Sequence, residues 1–413
     1  MLSNIQNAGG FTVTLNTTEE CNLRCKYCYE INKRNKVLKL EDAKKFVDII
    51  LSDPDPCDLL KDEDYQYRAA YVKGITWDFI GGDSLMNVDL LDDIFSYIYK
   101  KVYTEDLPNN KYYRGHMAFS VCSNGTLFSI PKVRDFCEKW SDILHVNVSI
   151  DGCPEIHDKY RVFKDGSGSM KTILEWWPWY QKTFPNDCLS TKATCSKASI
   201  PYLYESLKFM HETLGIRYVN QNFIMEDTGC TEEDYKELDR QLGLCIDYVL
   251  SHSEDLHWSM IDKQTFAFAH RSQGVNWEHK GHCGSGAMPA LGINGKIYPC
   301  FRWLPHTQDE TVDFSVGNIK DGLSCKENFK KVRFGSCRVN CTRDPKCKEC
   351  DCESACSYCI AGCYNEFKDF IRTTYICEIT KLQVKWARIY WDKYNELNGL
   401  PKYDYSKGYV DGC

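Results

Sequence analysis

Twenty-four cysteines in a chain of 413 residues set the first condition on any fold. Disulfide scaffolds use cysteine this densely, but they are chains of under about 80 residues whose cores cannot hold them together. This chain is long enough to bury one or two ordinary cores. Its N-terminal MLSNIQNAGGFTVTLN lacks the basic n-region and long apolar h-region of a signal peptide. No apolar run reaches the roughly 18 residues of a membrane span. The expected setting is therefore cytoplasmic, where thiols stay reduced. What remains for the cysteines is a sulfur-loving metal.

Their distribution supports that reading. Eleven cysteines precede residue 283, thirteen occupy the last 131 residues, and eight fall between Cys337 and Cys363. A tight triplet stands at the front and a dense block at the back. The singles between them, such as Cys57, Cys122, Cys137, Cys188 and Cys245, sit in apolar or mixed surroundings and read as small buried hydrophobes. The net charge of −7 argues against a nucleic-acid partner, which would call for a strongly basic chain.

Six runs have β character: Phe11–Thr18, Ile75–Ile80, Met117–Ser123, His145–Ile150, Leu189–Cys195 and Tyr218–Met225. They are rich in β-branched and aromatic residues and end at turn signals. Helix-like stretches alternate with them at Leu40–Leu51, Val88–Tyr103, Pro131–Trp140, Lys171–Phe184 and Pro201–Leu214. The apolar stripe Leu90, Leu91, Ile94, Phe95, Ile98 and Val102 is the clearest. Pro131 and Pro201 suit first helical turns. This alternation predicts an α/β fold with parallel strands and crossover helices, most of a TIM-like barrel, with functional loops at the C-terminal ends of the strands. Residues 53–73 interrupt the rhythm as a surface insertion. A helix at Glu232–Leu250 follows the sixth strand. Beyond about residue 280 the pattern dissolves into short Gly-, Pro- and Cys-rich pieces of the kind that fold around metal. A last helix spans Glu378–Asn395. The expected division is a barrel at 1–227, a helical bridge at 228–280, a Cys-rich domain at 281–378, and a terminal helix and tail at 379–413.

Cys21-Asn-Leu-Arg-Cys25-Lys-Tyr-Cys28 is C-x3-C-x2-C directly after the first strand. Three thiolates so close can hold three corners of an iron–sulfur cubane and leave one iron open. Structural zinc would want a fourth ligand, and the following YEINKRNK offers neither Cys nor His. The motif resembles that of the radical SAM superfamily. There it binds a [4Fe–4S] cluster whose open iron chelates S-adenosylmethionine (SAM), and the fold is a partial (β/α)6 barrel. By this resemblance Tyr27 lies against the adenine. Gly81-Gly82-Asp83 resembles the family's glycine-glycine-acid motif, with Asp in place of the usual Glu, and is expected at the SAM amino group. Ser123-Asn124-Gly125-Thr126 and Ser149-Ile150-Asp151-Gly152 resemble segments lining the SAM ribose and methionyl ends. Arg161 is a candidate for the SAM carboxylate or else one half of a surface ion pair. The resemblance also implies a flavodoxin- or ferredoxin-type reductant. The reduced cluster would cleave SAM to a 5′-deoxyadenosyl radical that takes hydrogen from the substrate.

The C-terminal block extends the likeness. Cys283 and Cys300 flank a hairpin with an Asn294-Gly295 turn. Cys347-x2-Cys350-x5-Cys356 precedes Cys359, Cys363 and Cys377. This order resembles the SPASM extension, which carries two auxiliary [4Fe–4S] clusters, making three with the first. The resemblance assigns Cys283, Cys300 and one later cysteine to the first auxiliary cluster, and Cys347, Cys350, Cys356 and Cys377 to the second. Cys359 is the preferred match for the further cysteine of the run, with Cys363 the alternative. Trp277 stands where many members carry another ligand. The first auxiliary cluster therefore has an open iron unless Cys337 or Cys341 closes it, and Cys352 is unassigned. Sulfatase-maturating members carry Asp just after the second hairpin cysteine, whereas this chain has Cys300-Phe301-Arg302. That points to maturation of a ribosomally synthesised peptide, with a thioether the leading expectation. Cys21 stands too near the start for the N-terminal leader-binding domain of many peptide maturases, so a leader peptide is expected to bind elsewhere or through a partner chain. The alternatives are formylglycine formation on a sulfatase and a non-enzymatic iron–sulfur carrier or zinc-folded protein.

Overall fold

The computed structural model describes residues 11–54, 74–269, 285, 288–308 and 312–407. Most of the expected insertion at 53–73 lies outside the described residues, as do Cys57, Trp277, Cys283 and Cys413. The chain divides into two compact units. One comprises residues 1–148, 161–187 and 284–336, and the other 149–160, 188–283 and 337–413.

In the first unit, β1 (Phe11–Thr18), β2 (Ile75–Gly81), β3 (Met117–Ser123) and β4 (Leu144–Val148) pair in parallel in that order. The helices Leu40–Ser52, Val88–Thr104 and Pro131–Trp140 are the crossovers between them. Alternation along the strands puts Val13, Leu15, Trp77, Phe79, Phe119, Val121 and Val146 wholly out of water. Phe95, from the predicted stripe, stacks on Phe119 with ring centroids 3.9 Å apart, and Phe79 lies 4.7 Å from it. Each such side chain contributes about 1.5–3 kcal/mol by leaving water. The weakly patterned stretch after residue 288 completes the same sheet. β8 (Ala290–Leu291) pairs in parallel with β1, while β9 (Lys296–Tyr298) and β10 (Gly317–Asn318) follow antiparallel. The Asn294-Gly295 turn forms as expected, with Gly295 at a φ of 74°.

In the second unit, β5 (Ser190–Cys195), β6 (Tyr218–Phe223) and β7 (His257–Trp258) form a parallel sheet. The helices Glu232–Ser251 and Cys377–Leu397 pack together. Trp386 sits where Gly243 has no side chain, and Lys393 meets Asp247 at 2.9 Å. The expected single helix at Pro201–Leu214 differs in form. Ser196 caps a 3-10 turn over Lys197–Tyr202, so Pro201 lies inside a turn begun four residues earlier. An α-helix over Leu203–Lys208 and a π-helical turn over Phe209–Thr213 follow. Among the described residues, no helix is long and apolar enough to cross a membrane.

Candidate metal centres

The cysteine triplet is delivered by the end of β1. A bulge between Asn16 and Thr18 shifts the register there, a common device beside functional sites. The chain then turns under the end of β2, so close that side chains are excluded. A Cβ on Gly81 would stand 2.0 Å from the Thr18 carbonyl oxygen, and one on Gly82 would stand 2.0 Å from that of Glu20. The two glycines thus admit the chain's own backbone. The Gly82 and Asp83 amides donate to those carbonyls at 3.0 and 2.9 Å.

Asp83 is buried, and its carboxylate ties two strand ends together. It accepts from Leu85 N at 3.2 Å, from the Ser123 hydroxyl at 2.9 Å and from Asn124 N at 2.8 Å. Burial raises it to about 6, against the pull of these donors. The Asn124 amide in turn donates to Asn22 Oδ1 at 2.8 Å and to Cys21 Sγ at 3.9 Å. So Cys21, Gly81, Gly82, Asp83, Ser123 and Asn124 come together in one network. Asn22, a spacer position of the cysteine motif, and Thr126, the last residue of the Ser123–Thr126 segment, complete it at 2.7 Å from each other.

The donor set around the sulfurs fits cluster ligation. Leu23 N donates to Cys21 Sγ at 3.4 Å. Burial raises the Cys21 thiol to about 11, so a metal must displace a firmly held proton. The Lys33 ammonium hydrogen-bonds Cys28. Burial works to lower Lys33, yet Cys28, Cys21 and Glu30 together raise it. Tyr27 lies under the Arg161 guanidinium, 5.5 Å from ring to cation. Ser149 and Asp151 belong to the second unit. There Asp151 accepts from Thr194 N at 3.1 Å, and Ser149 bridges to Lys192.

The second centre is a cavity of about 340 Å³ within the second unit. Cys347, Cys350, Cys352, Cys356 and Cys377 line it, with Lys346, Arg372 and Lys381. All four cysteines expected for the second auxiliary cluster therefore meet, and Cys352 joins them. Successive tight turns bring Cys347, Cys350 and Cys356 round: Glu353 N donates to Cys350 O at 3.2 Å, and Cys356 N to Glu353 O at 3.2 Å. Cys377 opens the helix Cys377–Leu397, and burial with Cys347 raises its thiol against the pull of Lys346 and Arg372. Arg372 is buried against Glu353 at 3.1 Å, and the Cys356 and Cys347 thiolates favour its charge.

The remaining cysteines are placed differently. Cys300 is buried in the first unit just after β9, and Cys283 lies outside the described residues. Cys337, Cys341, Cys359 and Cys363 are in the second unit. Cys359 Sγ caps the helix Ile360–Phe367 by accepting from Gly362 N at 3.5 Å, and Cys341 Sγ lies 3.3 Å from the Tyr358 hydroxyl. No disulfide joins the described cysteines. Among the described residues, no three His, Cys, Asp or Glu side chains converge on a single ion. Cysteines that each bond a different iron of a cluster need not converge so closely. Burial is the main cause that drives Cys137, Cys195 and Cys245 far above the ordinary thiol range, as inert packing residues.

Residues 15–186 match the Radical SAM superfamily. An uncharacterized protein of Methanocaldococcus jannaschii is 27% identical over 48% of this chain, and the chain spans only 57% of that relative's length. A serine-type anaerobic sulfatase-maturating enzyme of Bacteroides thetaiotaomicron is 23% identical over 82% of this chain and 79% of its own. The solved structure of native anSMEcpe, an anaerobic sulfatase-maturating enzyme, with bound AdoMet superposes with a TM-score of 0.66 at 16% identity. It covers 94% of this chain and 99% of the other. Streptococcus suis SuiB bound to precursor peptide SuiA gives 0.56 at 12% identity, covering 91% and 78%. At these identities the structural likenesses speak to fold alone. They agree with the expected α/β fold and Cys-rich C-terminal region.

Proposed function

We propose, for a chain that carries a radical SAM domain over residues 15–186, that it is a peptide maturase that forms a thioether or another side-chain cross-link. The domain implies a [4Fe–4S] cluster and SAM. Cys21, Cys25 and Cys28 would hold the cluster, which supplies with SAM a radical able to take hydrogen from an unactivated carbon. The chain's own residues do the positioning. Asp83, Ser123, Asn124 and Asn22 fix the Cys21 end of the loop, and Tyr27 under Arg161 presents a ring face for the adenine. Ser149 and Asp151 retain their proposed part in lining the SAM site.

Auxiliary clusters are part of the proposal. Cys347, Cys350, Cys356 and Cys377 would hold one, and Cys283, Cys300 and one later cysteine would hold the other. The observation that carries the peptide reading is the residue pair after Cys300. Phe301 and Arg302 are packed on Tyr29, with no carboxylate at the place where sulfatase maturases carry their Asp. A flavodoxin- or ferredoxin-type protein would supply electrons. The test is mass spectrometry of a Cys-containing precursor peptide after incubation with reconstituted enzyme, SAM and reductant. A product lighter by two hydrogens supports the reading, and unchanged mass rejects it. The second reading is formylglycine formation, favoured by the sulfatase-maturating relative that spans most of the chain. Oxidation of a sulfatase-derived peptide in the same assay would select it.

A further inference from the structure

The second unit holds another cavity, of about 680 Å³, which no described cysteine lines. One wall is a face of β6. Its first residue, Tyr218, is 45% exposed and pairs in register with His257, the first residue of β7. Their rings stack at 4.9 Å, nearly parallel at 11°. β7 accompanies β6 only as far as Val219. Beyond that point the Ser259 hydroxyl accepts from Gln221 N at 2.8 Å and donates to Gln221 O at 3.1 Å. A side chain thus takes the place of a further strand at this edge. Asn220 and Asn222 stand exposed on the same face as Tyr218.

Another wall is the later half of the helix Cys377–Leu397, through Tyr390, Trp391 and Tyr394. Trp391 Nε1 donates to Ile261 O at 2.9 Å, which fixes the ring, and Tyr394 meets it at 5.4 Å. Gln264, exposed, and Ser357 also line the cavity. Ser357 directly follows Cys356, so this cavity and the cysteine-lined one share a stretch of chain. Charge is nearly absent. Among the described residues, Asp262 and Lys263 are the only Asp, Glu, Lys or Arg lining it. Both are engaged locally. Asp262 accepts from Thr265 N at 2.7 Å, and Lys263 Nζ lies 5.2 Å from the Trp391 ring and 3.3 Å from the Tyr403 hydroxyl.

We infer that this cavity binds an uncharged, aromatic-bearing segment of the substrate peptide. Its volume falls within the roughly 300–1,000 Å³ of ordinary ligand sites. Tyr and Trp rings offer large contact area at small entropic cost, while Asn, Gln and Ser side chains adapt their hydrogen bonds to the ligand. An extended peptide carries a donor and an acceptor on nearly every residue, and the amides of Asn220, Asn222 and Gln264 can serve both. A phosphate-bearing or strongly charged ligand would find no cluster of opposite charge to hold it. The inference rests on the peptide-maturase reading.

The test uses full-length protein reconstituted anaerobically with iron and sulfide, as wild type, Trp391→Ala, Tyr218→Ala and Asn222→Asp. The probe is a pooled library of N-acetylated, C-amidated random hexapeptides. Peptides that co-elute with the protein on gel filtration are identified by mass spectrometry, while iron per chain and melting temperature report folding. Wild type should retain peptides enriched in aromatic and uncharged residues. Trp391→Ala and Tyr218→Ala should each retain them about tenfold less, the effect of one lost aromatic anchor. Asn222→Asp should turn the preference toward peptides containing Lys or Arg. Retention by both aromatic variants equal to wild type overturns the inference, as does a wild-type pool rich in charged peptides or no retention at all. If Trp391→Ala cannot fold, equal retention by Tyr218→Ala, altered at an exposed position, overturns it as well. The two failures are distinguishable. Unchanged precursor mass beside cavity-dependent retention rejects the maturase reading, whereas a modified precursor without cavity-dependent retention rejects this inference.

Discussion

Gly82 is the position where the cluster loop is most exposed to a single methyl group. An alanine Cβ would stand 2.0 Å from Glu20 O, 2.3 Å from Glu20 C and 2.8 Å from Cys21 N. All three are backbone atoms, so no side-chain rotation relieves the contact. The loop between Thr18 and Cys21 must move away from the end of β2. That movement breaks the bond from Asp83 N to Glu20 O and strains the one from Gly82 N to Thr18 O, now 2.9 and 3.0 Å. Two buried hydrogen bonds are worth about 2 kcal/mol together, and overpacking adds about 1–3 kcal/mol. Gly82→Ala should therefore cost about 3–5 kcal/mol, a large part of the roughly 5–15 kcal/mol that holds a domain folded. At about 2–4 °C per kcal/mol, the apo protein should melt about 6–20 °C lower. The displaced Cys21 should also lower iron uptake at the triplet. Anaerobic thermal unfolding followed by iron determination measures both. A Gly82→Ala protein with wild-type melting temperature and full iron would refute the close approach described for β1 and β2.

Other substitutions probe separate parts of the account. Cys350→Ser should remove about 4 of an expected 12 iron per chain while leaving the SAM-responsive signal intact, read by iron and sulfide determination. Asp187 accepts from Val146 N and from His145 Nδ1, both at 2.9 Å. Asp187→Ala should thus destabilise the fold by about 1–3 kcal/mol, checked by denaturant unfolding. Asp234 is lowered to about 2 by Thr231 and Lys197. Between its ordinary range and that value the unfolded chain binds more protons than the native one, so stability rises with pH there. The stability advantage of wild type over Asp234→Asn should be present above pH 4 and fade as pH falls toward 2. An advantage that grows on acidification would reverse the assignment.

Much of this was legible in the sequence because it is local. β1 and β3 run over the residues their β-branched patterning predicts, and Pro131 opens the helix Pro131–Trp140. Cys347, Cys350 and Cys356, close in sequence and on successive tight turns, line one cavity, because closely spaced residues leave the chain few ways to scatter them, whereas Cys377 reaches that wall only through the fold. Other features were invisible for physical reasons. β8, β9 and β10 are two or three residues long, too short to show a period, and they are held by pairing in succession, β8 on β1, β9 on β8 and β10 on β9. Arg302 over Tyr29 and Asn16 beside His306 join positions about 270 to 290 residues apart, and no spacing rule links them. The glycines of Gly81-Gly82-Asp83 were legible as a close approach, but the partner is the chain's own backbone at Thr18 and Glu20, which only tertiary structure reveals.

The most direct measurement is the fate of SAM on the reconstituted protein. With iron, sulfide and a strong reductant present, wild type should convert SAM to methionine and 5′-deoxyadenosine, detected by chromatography with mass spectrometry. Cys25→Ala should produce neither while remaining folded. Intact SAM after incubation with iron-loaded wild type, or equal turnover by Cys25→Ala, would contradict the central claim that Cys21, Cys25 and Cys28 form the reactive centre.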